Sequence, residues 1–133
     1  MNRAAPRRGL VETRLLIEIR AGDPNAYEFA IEMLRAAGIE VSELSATCLI
    51  AQARTVEERH RNLAFLSNCT VHAVSARVSH RAYRIAASVP LPASLTADDA
   101  LVAATALIHK LPLYTLDPAR FAAVPGLTAL RPY

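Results

Sequence analysis

The chain has 133 residues and a formal net charge of +3, with 53% hydrophobic and 20% charged residues. A domain of this length buries about two-thirds of its unfolded surface, so it needs neither disulfides nor a structural metal to fold. The composition excludes a disordered or fibrous chain, and no apolar run approaches the ~20 residues of a membrane span. The basic start MNRAAPRRG lacks the following apolar stretch of a signal peptide, so a soluble cytoplasmic protein with no membrane partner is expected. Cys48 and Cys69 have no metal-binding or redox spacing and read as reduced thiols. Fourteen Arg and one Lys stand against eight Glu and four Asp, a balance that permits a polyanionic partner without requiring one.

Residues 1–8 read as a disordered basic arm, with one domain over 9–133. A short apolar strand over 9–13 is followed by a helical turn or two carrying Leu15, Leu16 and Ile19. Asp23-Pro24 is a helix start, Tyr27, Ala30, Ile31 and Leu34 recur at i, i+3, i+4, i+7, and Gly38 is the stop. A second strand is predicted over 39–42 and a helix over 43–53. Thr55 with Glu58 has the capping-box spacing before a helix carrying Leu63 and Leu66. TVHAV (70–74) alternates as a third strand, and Ser75 caps a helix to about Ser88. Thr96 and Asp99 open a further helix with Leu101, Ala104, Thr105 and Ile108 on one face, stopped by Pro112. LPLYTL gives a fourth strand, a helical turn covers 118–123, and LTAL closes the chain. Strands alternating with helices predict one α/β domain with a central, mostly parallel five-stranded sheet flanked by helices.

In such sheets ligands bind at the carboxyl ends of the strands. Glu12, the 42–48 segment, Asp98, Asp99 and Asp117 fall there, and clustered carboxylates suit a hard divalent cation. The alternative is local: Asp99 caps its helix and Asp117 starts a turn.

The stretch TADDALVAATALIHKLPLYTLDPARFAAVPGLTALRPY (96–133) closely resembles the end of PIN-domain proteins, in particular VapC-like ribonuclease toxins of bacterial toxin–antitoxin pairs. GLVETRLLIEIRAGDP (9–24) occupies the place of the opening strand and helix of that family, and VSELSATCL (41–49) aligns with its V-S-x-x-x-x-x-E-L segment. The resemblance implies a PIN fold and, in active members, ribonuclease chemistry on Mg²⁺ or Mn²⁺ held by three or four carboxylates. Carried over by position, the four acids fall on Glu12, Cys48, Asp99 and Asp117, with Asp98 as a further oxygen donor. Cys48 therefore replaces an expected carboxylate, and Glu12 moves its oxygens outward by one methylene. Gln52, one turn on, is neutral, and Glu43 lies roughly 140° around the helix from Cys48.

A third departure is Arg14, where the family has a small polar residue. Two carboxylates ~4 Å apart repel by ~4 kcal/mol at an effective dielectric near 20, which a metal offsets. A permanent guanidinium nearby lowers the attraction for Mg²⁺. The expectation is a degraded site with no metal bound, weak or absent nuclease activity and a function in binding, with Arg14 paired to Asp99 or Asp117. The alternative is an active Mg²⁺- or Mn²⁺-dependent ribonuclease using Glu12, Asp99 and Asp117. The resemblance also implies a homodimer, an antitoxin-like protein partner and RNA. Arg77, Arg81 and Arg84 recur at i, i+4, i+7 and, with Arg14, are candidate nucleic-acid contacts, or else a solvated helix face. They are read as an electrostatic track without base stacking.

Overall fold

A computed structural model describes residues 6–133. Its strands are β1 (Leu10–Val11), β2 (Glu40–Ser42), β3 (Thr70–His72), β4 (Leu113–Tyr114) and β5 (Ala129–Leu130). The helices are α1 (Thr13–Ala21), α2 (Pro24–Ala36), α3 (Glu43–Ala51), α4 (Val56–Leu66), α5 (Ala76–Ser88) and α6 (Ala97–Ile108), with a 3₁₀ turn at Pro118–Phe121. The sheet order is β3-β2-β1-β4-β5 and every pairing is parallel, in line with the expected architecture.

The strands are only two or three residues long, and helices pack against both faces of the central one. Adjacent side chains on a strand point to opposite sides. Leu10 accordingly packs with Val78, Ala82 and Ile85 of α5 and Val102, Ala103 and Ala106 of α6. Its neighbour Val11 packs on the other side with Leu15, Leu16 and Ile19 of α1 and Phe29 and Met33 of α2. β1 lies at the centre of the sheet, so both of its side chains are fully buried.

Two expected faces shift. The buried stripe of α2 is Ala26, Phe29, Ala30 and Met33, whereas Tyr27 and Leu34 are exposed. Apolar residues recur at helical spacing from both Ala26 and Tyr27, and the larger Phe29 and Met33 decide which stripe turns inward. On α4, Leu66 is buried but Leu63 is exposed, and Asn62 takes the inward place. The third strand stops at His72, two residues before the expected end.

Of the basic arm expected over 1–8, residues 1–5 lie outside the described residues. Arg7 and Arg8 are held rather than free. The Tyr114 hydroxyl donates to the Arg7 carbonyl at 2.7 Å. The Arg8 guanidinium clasps the Glu40 carboxylate through Nε and, at 2.9 Å, through Nη2. His72 Nε2 donates to the same carboxylate at 2.9 Å. Burial alone would raise the Glu40 carboxyl, but hydrogen bonds from Arg8 and His72 outweigh it and hold the group below its ordinary value. Glu40 thus ties the segment before β1 to β2 and β3.

Gly9 is fixed by a close approach: a Cβ there would stand 2.6 Å from the Tyr114 ring and 3.1 Å from the Pro112 carbonyl oxygen. Tyr114 cannot yield easily, because its ring packs edge-on against Phe29 at 5.0 Å and its hydroxyl is bonded. Gly9→Ala should lower stability by about 1–3 kcal/mol, read as a fall in the thermal midpoint. The Glu40 network should be lost on acidification. Because the folded pKa lies below the ordinary 4.5, its contribution is complete above that value and disappears as pH falls through the lower folded one. Glu40→Gln should therefore flatten the dependence of the thermal midpoint on pH below about 4.5. An unchanged slope would dissociate Glu40 from acid sensitivity.

Candidate active site

The carboxyl end of the central strand carries Glu12. β1 stops at Val11, and Glu12 becomes the N-cap of α1, where its Oε1 accepts from the Arg14 backbone N–H at 3.0 Å. Its other oxygen accepts from the Thr115 hydroxyl at 3.2 Å, and the side chain is 3% exposed. Thr115 follows β4, the strand paired with β1, and its hydroxyl accepts from the Asp117 backbone N–H at 3.1 Å. Asp117 caps the 3₁₀ turn, its Oδ1 accepting from the Arg120 backbone N–H at 3.3 Å.

That turn delivers a guanidinium into the site. Arg120 Nη2 donates to Glu12 Oε1 at 3.2 Å, and Nη1 stands 3.6 Å from Asp99 Oδ1. The second contact is an ion pair and not a hydrogen bond. Asp99 divides its oxygens between two tasks. Oδ2 accepts from the Thr96 backbone N–H at 3.0 Å to complete the capping box of α6, while Oδ1 faces Arg120. The Arg120 side chain is 17% exposed and its guanidinium carbon lies 5.1 Å from the Phe121 ring centroid. Its Nε–H is buried and has no partner among the described residues.

Asp99 caps a helix and also belongs to a charged cluster, whereas Asp117 starts a turn and forms no ion pair among the described residues. Glu12 and Asp99 are brought to one guanidinium. The expected role of Arg14 is overturned: its side chain is exposed and makes no hydrogen bond or ion pair among the described residues. Two positions along a strand return to the same side, but the helix begins at Thr13. Two positions along a helix turn ~200°, so Arg14 leaves the face that Leu15 and Leu16 bury. Arg120 is the residue that sequence reasoning missed. The signal was Asp117-Pro118 as a turn start three residues before an arginine, directly after the fourth strand.

Cys48, on α3, is half-buried. Burial pushes its thiol up, and the Asp98 carboxylate adds to this, which places Cys48 within electrostatic reach of the N-terminus of α6. Burial also pushes the Cys69 thiol up to about 11, so both sulfurs stay protonated at neutral pH and neither is an activated nucleophile. Asp98 is exposed and pairs with no cation among the described residues. Arg77 and Arg84 are exposed and Arg81 is half-buried, all on α5.

Among the described residues no group of three or more His, Cys, Asp or Glu side chains is positioned to hold a metal ion. The carboxylates of Glu12 and Asp99 converge on a guanidinium instead. A buried carboxylate that loses its cation is costly, because desolvation is no longer compensated. Arg120→Met, which keeps apolar bulk over Phe121, should therefore lower stability by about 2–4 kcal/mol in urea unfolding. Arg14→Ser should change it by no more than about 0.5 kcal/mol. Equal effects of the two substitutions would show that Arg120 is not the compensating charge.

Comparison with known proteins agrees with this architecture. The PIN domain family model matches residues 10–127. Among solved structures, a toxin–antitoxin complex from Klebsiella pneumoniae contains a chain that superposes with a TM-score of 0.77 at 23% identity, over 95% of this chain and 98% of that one. DNA-bound VapBC from Salmonella typhimurium gives 0.75 at 19% identity, over 93% and 97% of the two chains. VapBC2 from Rickettsia felis, bound to a DNA fragment from its promoter, gives 0.74 at 18%, over 92% and 96%. At these identities the likeness concerns the fold. No curated protein matches the chain by sequence. With a family match across nearly its whole length and the five-stranded parallel sheet in place, the chain belongs to the PIN-domain family.

Proposed function

We infer that this PIN domain is a VapC-like protein acting by binding, with weak or absent metal-dependent ribonuclease activity. The observation that carries the reading is the Arg120 guanidinium set between Glu12 and Asp99. It supplies positive charge where a nuclease of this family would use Mg²⁺ or Mn²⁺. A guanidinium cannot generate hydroxide from a bound water, since Arg remains ionised and offers no open coordination position. Cys48, with its protonated thiol at the expected position of an acid, supports the same reading. The toxin–antitoxin complexes among the similar structures support an antitoxin-like protein as the partner. A homodimer and RNA remain part of the proposal, in a cytoplasmic setting. No helix among the described residues is long and apolar enough to cross a membrane.

The alternative, a working ribonuclease on Glu12, Asp99 and Asp117, is favoured by one observation. Glu12 and Asp117 are joined through a single residue, since Thr115 donates to one and accepts from the backbone of the other. The two readings separate in a calorimetric titration with Mn²⁺ run beside an RNA-cleavage assay. The wild-type protein should give little binding heat and no cleavage above that of Asp99→Asn. Combining Cys48→Glu with Arg120→Met should produce measurable Mn²⁺ binding. Cleavage by the wild type that is abolished by chelator and by Asp99→Asn would establish the enzyme.

A further inference from the structure

We propose that the outer face of α5 is a binding surface for single-stranded nucleic acid, separate from the acid cluster. The helix is amphipathic: Val78, Ala82 and Ile85 are buried against α6 and the sheet, which turns its polar residues outward. Arg77, Arg81 and Arg84 lie on that outward side within one row at i, i+4, i+7. α5 contains no acidic residue, and none of the three arginines makes a hydrogen bond or ion pair among the described residues. The chain has fifteen Lys and Arg against twelve Asp and Glu, so the three arginines of α5 equal its entire excess of +3.

Charge alone would describe a solvated face. The aromatic residues add a second, independent observation, and they correct the reading that no base stacking is signalled. Tyr83 stands between Arg81 and Arg84 in sequence and is 73% exposed, an unusual state for a large ring. The ring of His80 lies 6.4 Å from it at an interplanar angle of 14°, so the two flat groups present nearly parallel faces. Around the helix His80 falls within about 60° of Arg77 and Arg84, with Tyr83 on its far side, so the exposed π-faces flank the unpaired cations and suit unstacked bases joined by phosphates. A duplex offers only base edges and does not match such a platform.

The basic surface continues beyond the helix. Arg81, Arg84 and Ser88 line a cavity of about 360 Å³ that reaches Leu107 and Pro125. Leu107 also borders a second cavity of about 420 Å³, which carries Arg7 and Lys110. No carboxylate lines either one. Arg81 and Arg84 on one cavity and Arg7 and Lys110 on the other thus place cations at either end of an uncharged stretch around Leu107.

The test is fluorescence anisotropy on the intact protein in chelator, with labelled oligo(U) and oligo(dT) of about 12 nucleotides. Chelator makes the outcome independent of whether the acids can hold a metal. Wild type should bind with affinity falling on added salt at a log–log slope near −2, as expected for about three phosphates on a single strand. Arg81→Gln with Arg84→Gln should weaken binding and reduce that slope by about 1.4. Tyr83→Ala should weaken binding about tenfold and leave the slope unchanged. Stronger binding of oligo(U) than oligo(dT) would assign the surface to RNA, and the reverse to DNA. Unchanged binding in both variants would overturn the proposal, as would polyglutamate or duplex binding by the wild type alone. Loss of a wild-type dimer in Tyr83→Ala, seen by sedimentation, would also overturn it, because a second copy would then cover this face.

Discussion

One guanidinium organises the carboxyl end of the sheet. Glu12 is nearly inaccessible to water and lies beside the N-terminus of α6, where Asp99 is also largely buried. Two buried carboxylates repel one another, and the repulsion grows as the surroundings become less polar. Arg120 provides a compensating charge from a turn whose backbone is itself pinned by Asp117. The planar fork matters, because one Nη serves each carboxylate, and an ammonium at the same place would be a single point charge. The arrangement is not perfectly satisfied. The unpartnered Nε and the 3.6 Å contact to Asp99 mark it as a charge-balanced cluster and not an optimised bidentate pair.

The position of this cluster follows from how the sheet is built. A parallel sheet buried on both faces brings every strand's carboxyl end to one edge. β1 and β4 are adjacent, which puts Glu12 beside Thr115 and, through it, beside the Asp117 turn. α6 begins at the same edge, so its capping residue enters the cluster, and Ser94 in the connection before it donates to the Arg120 carbonyl at 2.9 Å. Function-bearing residues at such a site are consequently constrained twice, once by local backbone capping and once by the charge of their neighbours. Asp99 illustrates both constraints in one carboxylate.

This double role explains what could and could not be read from the sequence. The strand–helix alternation, the Asp23-Pro24 helix start and the Thr96–Asp99 capping box are local signals, and local hydrogen bonding realises them. The burial stripe of α2 was ambiguous because two sets of apolar residues share helical spacing, and only packing against Tyr114 and α1 separates them. Proximity in sequence to Glu12 points to Arg14 as its partner, but the direction of successive side chains changes at the junction of strand and helix. Arg120 lies 108 positions from Glu12, a pairing created by the adjacency of β1 and β4 and invisible to periodicity.

The distribution of charge then divides the molecule. Glu12 and Asp99 are engaged by Arg120, and Glu40 by Arg8 and His72, so these buried carboxylates face inward and are neutralised within the fold. A bound partner sees little of them. The arginines of α5 are in the opposite situation, since their helix contributes no acid and their side chains face outward or half outward. Long-range attraction is governed by charge that the protein itself leaves unpaired. α5 is therefore one part of the surface where positive charge stays available to a polyanion, whereas the acids at the end of the sheet are engaged by Arg120. If α5 is the nucleic-acid surface proposed above, recognition and the acid cluster occupy separate parts of the molecule.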